Sequence, residues 1–456
     1  MERASFKRRL LVRAAGFLCL LSAPLWTYAL FFASEEYSYT TSSFFVVPLL
    51  LLVTVMTAMM VARRDSFLQE TMLVSLLARM AAVGAYLYLA YEVYGTSADA
   101  IHYFNAGAQF AQDFSLRGSW QVAQPFWSNN FVTMVAGNLF IVIGSSIASG
   151  MVAFAILGFW GEYFFYRAFC VAFPSGDSRL AAMFLFLLPS LIFWSSSIGK
   201  DALMQLFLGL ATYGCAILMQ RVEPKACAFL VLGIAGAALV RPHVALMSGI
   251  AIALTYLLGA TRGGTLGVLA KIIGVPLLMV GILYLAGQAR DFLAVDTFSQ
   301  SEAVLQRVAR NSQTGASAFG VGASLGDRIL AAPFLFFRPF PWEAHNLQAV
   351  IAASEGLLLM GITWRRRKDL VAAVRHWRSS PFGFFILVFL VAFSVIFSAA
   401  ITNFGLLARE RIMAMPLLLM LFCLRPIADR VTHSAPLSAR AAAVWTRAQP
   451  APDSNS

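Results

Sequence analysis

Stretches of about twenty mainly apolar residues recur along this 456-residue chain. A helix rises about 1.5 Å per residue, so about 20 such residues cross the roughly 30 Å hydrocarbon layer of a bilayer. On that criterion twelve segments are expected to span: 10–33, 44–62, 71–94, 147–170, 180–196, 201–220, 227–240, 244–260, 266–286, 346–363, 382–402 and 412–427. A further stretch, 131–143, is too short to span and ends at Gly144-Ser145-Ser146, so it reads as a helix lying on the membrane or re-entering it. Composition agrees: 59% of the residues are hydrophobic and 12% charged, against about 25% charged in soluble domains. So few charged side chains cannot clothe a water-soluble enzyme of this size. The expected fold is an all-α polytopic membrane protein with about twelve transmembrane helices and one re-entrant or interfacial helix.

The net charge of +12 raises the question of nucleic acid. Cytoplasmic loops are enriched in Lys and Arg, and placing Arg3, Lys7, Arg8 and Arg9 inside makes the loops alternate. Arg63-Arg64, Arg179, Arg221 with Lys225, Arg262 with Lys271, and Arg365-Arg366-Arg367-Lys368 then all fall on the inner side. The excess of basic residues is explained by orientation, with no nucleic acid partner. Both termini are expected in the cytoplasm, in a bacterial inner membrane. The first apolar stretch exceeds the 7–15 residues of a cleaved signal and reads as an uncleaved span. Residues 1–430 form one transmembrane domain with outer loops at 95–130 and 287–331, and 431–456 read as a disordered cytoplasmic tail. The capping box Ser299-Gln-Ser-Glu302 starts a helix within 287–331, a loop that reads equally as a lid or as a solvated connection. Cys19, Cys170, Cys215, Cys227 and Cys423 lack C-x-x-C spacing, so neither a disulfide frame nor a zinc site is indicated.

Once the chain is oriented, its remaining polar clusters gather on the outer side, where Lys and Arg run against the usual bias. Asp99, His102 and Tyr103 share a helical face through i, i+3 and i+4 spacing, ahead of an amphipathic stretch through Phe114. Asp99 reads either as a helix cap or as a general base toward an acceptor hydroxyl. Lys200 and Asp201 follow the Trp194-Ser195-Ser196-Ser197 turn and read as an ion pair or anchor, or as a phosphate contact at a helix start. Arg241-Pro242-His243 breaks two short spans, and its Arg reads as snorkelling or as a phosphate ligand. Arg338, Arg409 and Arg411 add further outer guanidiniums, whose forks hold phosphate bidentately. In Arg338-Pro339-Phe340-Pro341-Trp342-Glu343-Ala344-His345 the prolines exclude regular helix and predict an extended segment. Trp342 is there an interfacial belt residue or a platform for a sugar ring, with Glu343 and His345 bonding hydroxyls. Arg79, Glu162 and Glu355 lie inside spans, where helix–helix pairing is the default.

Asp99-x-x-x-Tyr103-x-x-x-Gly107, the string from Pro189 through Trp194-Ser-Ser-Ser to Lys200-Asp201-Ala-Leu203, and the Arg-rich outer helix ends together resemble polytopic GT-C-type glycosyltransferases and related proteins of bacterial surface-polysaccharide assembly. The resemblance extends loosely over most of the membrane core. It implies a GT-C-like fold and transfer of a sugar or oligosaccharide from a polyprenyl-phosphate or polyprenyl-diphosphate donor, on the outer side of the membrane. The acceptor is a hydroxyl of a glycan or a lipid-linked glycan. It implies Asp99 as catalytic base, Lys200, Arg241, Arg338, Arg409 and Arg411 on the donor phosphate, and His102, Tyr103, Asp201, His243, Trp342, Glu343 and His345 about the sugars. A Wzy-type polymerase of whole repeat units is a related expectation. A transporter or flippase of lipid-linked sugars is the rival, but it predicts charges at the bilayer midplane rather than at one face. No cofactor is evident, and a divalent metal is compatible with the few outer carboxylates without being indicated by them.

Overall fold

A computed structural model of the chain describes residues 42–93, 95, 97–119, 125–258, 280–288, 330–345, 347–375 and 380–424, together with Arg9, Arg13, Arg290 and Gly326. The expected span at 10–33, most of 266–286, most of the loop 287–331 and the tail 431–456 lie outside the described residues. Within them the architecture is entirely helical, without a strand. In chain order the helices are α1 Ser42–Val61, α2 Ser66–Tyr88 with a π turn Leu89–Val93, α3 Asp99–Arg117, α4 Asn129–Ile143, α5 Ile147–Ala172, α6 Ser178–Leu187 and α7 Pro189–Trp194. They continue as α8 Lys200–Leu218, α9 Pro224–Val240, α10 Pro242–Leu258, α11 Leu347–Arg375, α12 Pro381–Ala400, α13 Phe404–Glu410 and α14 Met415–Phe422.

Four helices among the described residues are long and apolar enough to cross a membrane: Ser66–Val93, Ile147–Ala172, Lys200–Leu218 and Pro381–Ala400. Shorter apolar helices accompany them, including Phe45–Val61, Pro224–Val240 and Pro242–Leu258. The chain is thus an α-helical membrane protein. Exposed apolar side chains along α1, such as Leu49, Leu52, Met56 and Met60, suit a face turned to lipid.

Local sequence accounts for most boundaries. Asp65 accepts hydrogen bonds from the Phe67 and Leu68 N–H groups, and Asn403 does the same for Gly405 and Leu406. Pro189, Pro224 and Pro381 each sit in the first turn of a helix, where their missing N–H costs nothing. Three expected boundaries differ. The segment 180–196 is two helices, because Leu188 before Pro189 is extended, φ −68° and ψ 122°. The helix expected at 346–363 runs on through the arginine run to Arg375, its basic side chains being good helix formers. The 412–427 segment is a 3₁₀ turn, Arg411–Met413, followed by the eight-residue α14.

The centre of the fold is a slab of α5, α8 and α9 in close backbone approach. Lipid supplies no hydrophobic drive for helix association, so small residues that let backbones touch carry the packing. A Cβ at Gly161 would meet the Gln205 carbonyl, and one at Gly209 would meet the Gly161 carbonyl. Gly214 faces the α9 backbone at Ala226 and Leu230, and Gly233 faces Ala211. Beside the slab, α3 and α4 form a hairpin sealed where Gly107 abuts Ala136 and Gly137 abuts Phe110.

Because those neighbours are backbone and cannot swing aside, Gly161→Ala and Gly209→Ala should each cost at least the ~1–3 kcal/mol typical of overpacking. Gly361→Ala, with nothing within 4 Å of the added methyl, should not destabilise. Thermal melting of the purified chain followed by size exclusion checks both.

Candidate functional site

The sequence-distant polar groups meet at helix ends. Asp99 opens α3, Lys200 and Asp201 open α8, Arg241 sits between α9 and α10, and Arg409 lies in the last turn of α13. Arg409 is the bridge: its NH1 donates to Asp99 Oδ2 at 2.6 Å and its Nε to Asp201 Oδ2 at 2.5 Å. Arg241 donates from NH2 to Asp201 Oδ1 at 3.3 Å and pairs through NH1 with Glu410. Burial is graded across this chain of charges, the side chains of Asp99, Arg409 and Asp201 being 55%, 19% and 3% exposed. The cluster is therefore open at Asp99 and closed behind Asp201.

The cap reading of Asp99 does not hold. Ala98 is the N-cap of α3 and makes no side-chain cap bond, while the Asp99 carboxylate turns to Arg409. Burial raises the Asp99 carboxyl, but the charge and hydrogen bond of Arg409, with Lys200 and His102 adding, bring the net below the ordinary carboxylate value. Burial disfavours charge on Arg409, yet Asp201 and Asp99 outweigh it and hold the guanidinium firmly protonated. Burial and the Asp99 charge push the Tyr103 hydroxyl up, and that hydroxyl donates to Asn129 Oδ1 at 2.9 Å.

Lys200 is not the partner of Asp201. Its Nζ donates to Ser128 Oγ at 2.8 Å, and Ser128 is itself held by its N–H to the Leu239 carbonyl at 2.7 Å. Lys200 thus joins the start of α8 to the start of α4, and it is the cation of this cluster whose hydrogen-bond acceptor is a neutral hydroxyl. A Cβ on Gly199, the N-cap of α8, would stand 3.9 Å from the Tyr103 ring. Tyr86 of α2 lies beside Ser197 and within electrostatic reach of Arg409, Asp201 and Asp99.

Arg411 and the Arg338-to-His345 segment make other contacts. Arg411 is fully buried, and its guanidinium goes to Glu355 at 3.0 Å, the Arg338 carbonyl at 2.8 Å and the Phe336 carbonyl at 3.1 Å. It ties α11 to the 336–338 segment, and its buried fork is directed at protein acceptors rather than at a phosphate. Arg338 pairs with Glu343 and lies 4.9 Å over the Phe404 ring. Its segment is not extended throughout, since Pro341–Glu343 is a 3₁₀ turn following a cis Arg338–Pro339 bond. Glu343 is engaged by Arg338 and by the Phe340 N–H at 2.8 Å. Trp342 stacks on Phe340 at 5.0 Å and is 74% exposed. His345 is exposed, His102 is exposed on the turn of Asp99, and the His243 ring lies 5.9 Å from Phe397.

Glu410, Ser128, Tyr86 and Ser197 were not expected as site residues. Glu410, as a carboxylate between two arginines, and Ser197, in the Trp194-Ser-Ser-Ser turn, carry a signal in the sequence; Ser128 and Tyr86 do not. Among the described residues no group of three or more His, Cys, Asp or Glu could hold a metal ion.

The two carboxylates on Arg409 should respond differently to substitution. Asp201→Asn removes the buried carboxylate that Arg409 and Arg241 share, leaving each with one acidic partner, and should cost up to the ~3–5 kcal/mol of a broken buried pair; Asp99→Asn, at the open edge, should cost about 0.2–1 kcal/mol. The Asp99 contribution is present in full above its ordinary value of 3.8 and is lost as pH falls through the lowered folded value. Melting midpoints of wild type and Asp99→Asn should therefore converge in acid.

A scan against protein-family models, a search of curated proteins and a search of solved structures each find no match to this chain.

Proposed function

We propose that the protein is a membrane glycosyltransferase of cell-surface polysaccharide assembly. It would transfer a sugar or oligosaccharide from a polyprenyl-phosphate or polyprenyl-diphosphate donor to an acceptor hydroxyl, at the outer face of a bacterial inner membrane. The observation that carries this reading is the grouping of Lys200, Arg409 and Arg241 with the half-exposed carboxylate of Asp99, at the ends of apolar helices. A lipid-linked donor needs this combination: cations for its phosphate at the edge of a membrane domain, and a carboxylate within reach of the acceptor.

In this mechanism the acceptor oxygen attacks the anomeric carbon as the bond from that carbon to the phosphate oxygen breaks. Lys200 and Arg409 stabilise the charge gathering on the departing phosphate, the kind of preorganised electrostatics that supplies the largest share of rate enhancement. Asp99 takes the acceptor proton. An ion-paired carboxylate is a weak base, so the chemistry requires Arg409 to turn from Asp99 to the phosphate as the donor binds. Tyr103 and His102, on the same helix as Asp99, face the acceptor, and Asp201 keeps Arg409 and Arg241 in place rather than meeting a sugar.

The test is the glycan profile, by gel and mass spectrometry, of a host strain lacking the gene and complemented at matched expression with wild type, Asp99→Asn or Arg409→Ala. Loss of the base should lower turnover about 10²–10⁴-fold, so Asp99→Asn should behave as the deletion. A glycan shortened by one sugar identifies single-sugar transfer, and lipid-linked single repeats that accumulate identify a repeat-unit polymerase. Full-length glycan of unchanged composition in the deletion strain overturns the proposal.

A further inference from the structure

Beneath the cluster lies an ion pair that the proposed chemistry does not use. Arg79 of α2 and Glu162 of α5 are both completely buried, with NH2 and Oε1 2.5 Å apart. Two charges withdrawn from water are a costly way to join two helices, and apolar side chains of similar volume often do it as well. The pair, however, does more than join α2 to α5. The second terminal nitrogen of Arg79, NH1, donates to Ser195 Oγ at 2.8 Å and reaches Ser196 Oγ at 3.5 Å. Both hydroxyls in turn donate to the carbonyls one turn behind them, Leu191 and Ile192. One terminal nitrogen of the planar guanidinium thus lies against a carboxylate while the other donates to a hydroxyl.

Ser195 and Ser196 begin the corner that ends at Lys200. Residues 195–199 are all buried and none is helical, so their path is set by what grips them. A Cβ on Gly158 of α5 would collide with Ser195, and one on Gly150 would collide with Ile198. Ser197 lies by Tyr86, two turns beyond Arg79 on the same helix, and the Tyr103 ring stands 3.9 Å from where a Cβ on Gly199 would be. The corner is thus gripped from α2 and α5, with the Tyr103 ring of α3 alongside, and Arg79 holds its start by hydrogen bonds to Ser195 and Ser196.

We propose that Arg79 and Glu162 are a positioning pair for Lys200 and Asp201, acting through Ser195 and the 195–199 corner. Glu162 orients the guanidinium, the guanidinium fixes Ser195, and the corner fixed at that end delivers Lys200 to Ser128 and Asp201 to the two arginines. Its bearing on catalysis rests on the transferase reading above; its bearing on where Lys200 sits does not.

The experiment is labelling of Lys200 by ethyl acetimidate in the purified full-length chain in detergent micelles, followed by peptide mass spectrometry. Exposed Lys225 is the internal reference. Ser195→Ala removes one hydroxyl and leaves the ion pair intact. It should raise the Lys200 labelling rate several-fold while Lys225 is unchanged. Arg79→Met combined with Glu162→Met leaves no charge unpaired and should do the same, whereas Arg79→Lys, with a point charge in place of the fork, should fall between. A pair that only held α2 to α5 would lower the melting midpoint and leave the Lys200 rate of folded Ser195→Ala at the wild-type value, and that result overturns the proposal. If the double methionine variant does not fold, Ser195→Ala decides alone. Labelling needs no donor, so an inactive wild type would sink the transferase reading and leave this result standing.

Discussion

Charge taken into an apolar interior has to be neutralised there, and in this protein that requirement determines which segments meet. Arg79 finds Glu162, Arg411 finds Glu355, and Arg241 finds Asp201 and Glu410. Each link joins residues far apart in the chain, and each fails expensively, because removing one partner strands the other in a low-dielectric environment. Glu355 shows how much one carboxylate organises. One oxygen takes Arg411, and the other takes the Ser190 N–H freed where Pro189 breaks the helix. The break between α6 and α7 is therefore stabilised from α11, and the Trp194-to-Lys200 corner begins from a fixed point.

The helix packing answers a different constraint. Apolar helices in lipid gain little by hiding apolar side chains from one another, so α5, α8 and α9 approach through glycine. That approach brings the start of α8 under the α3–α4 hairpin, where Lys200 can reach Ser128. Packing by small residues and pairing of charges thus act on the same helices from two directions. The glycines set the spacing, and the ion pairs set the register.

Membrane character was legible from hydropathy alone, as was a 15-residue helix where a short apolar stretch stood at 131–143. The gathering of Asp99, Lys200, Asp201, Arg241 and Arg409 was legible because all were placed on one side of the bilayer. The partners were not. Nothing in Lys200-Asp201 as a dipeptide says that the carboxylate turns to Arg241 and Arg409 while the ammonium turns to a serine, since that depends on which helices surround α8. The same holds for Arg338 and Arg411, whose residue type suits phosphate but whose acceptors are Glu343, Glu355 and backbone carbonyls. The helix break at Pro189 was missed, although a proline stood inside the apolar run read as one span at 180–196, and the Glu355 carboxylate from α11 accounts for how the freed Ser190 N–H is satisfied.

The cluster around Arg409 sets Asp99, Asp201 and Glu410 against Lys200, Arg241 and Arg409, three formal charges of each sign. A balanced set projects little field beyond its own edge, so an anion is not drawn to it from a distance as it would be to an open basic patch. For the lipid-linked donor proposed above, arrival would then depend on two-dimensional diffusion within the leaflet. Occupancy would be an exchange, one anion entering as a carboxylate lets go. The free energy of such a step would be the difference between two ion pairs, so selectivity would come from the shape of the oxygen array a guanidinium fork prefers, and total charge would count for little.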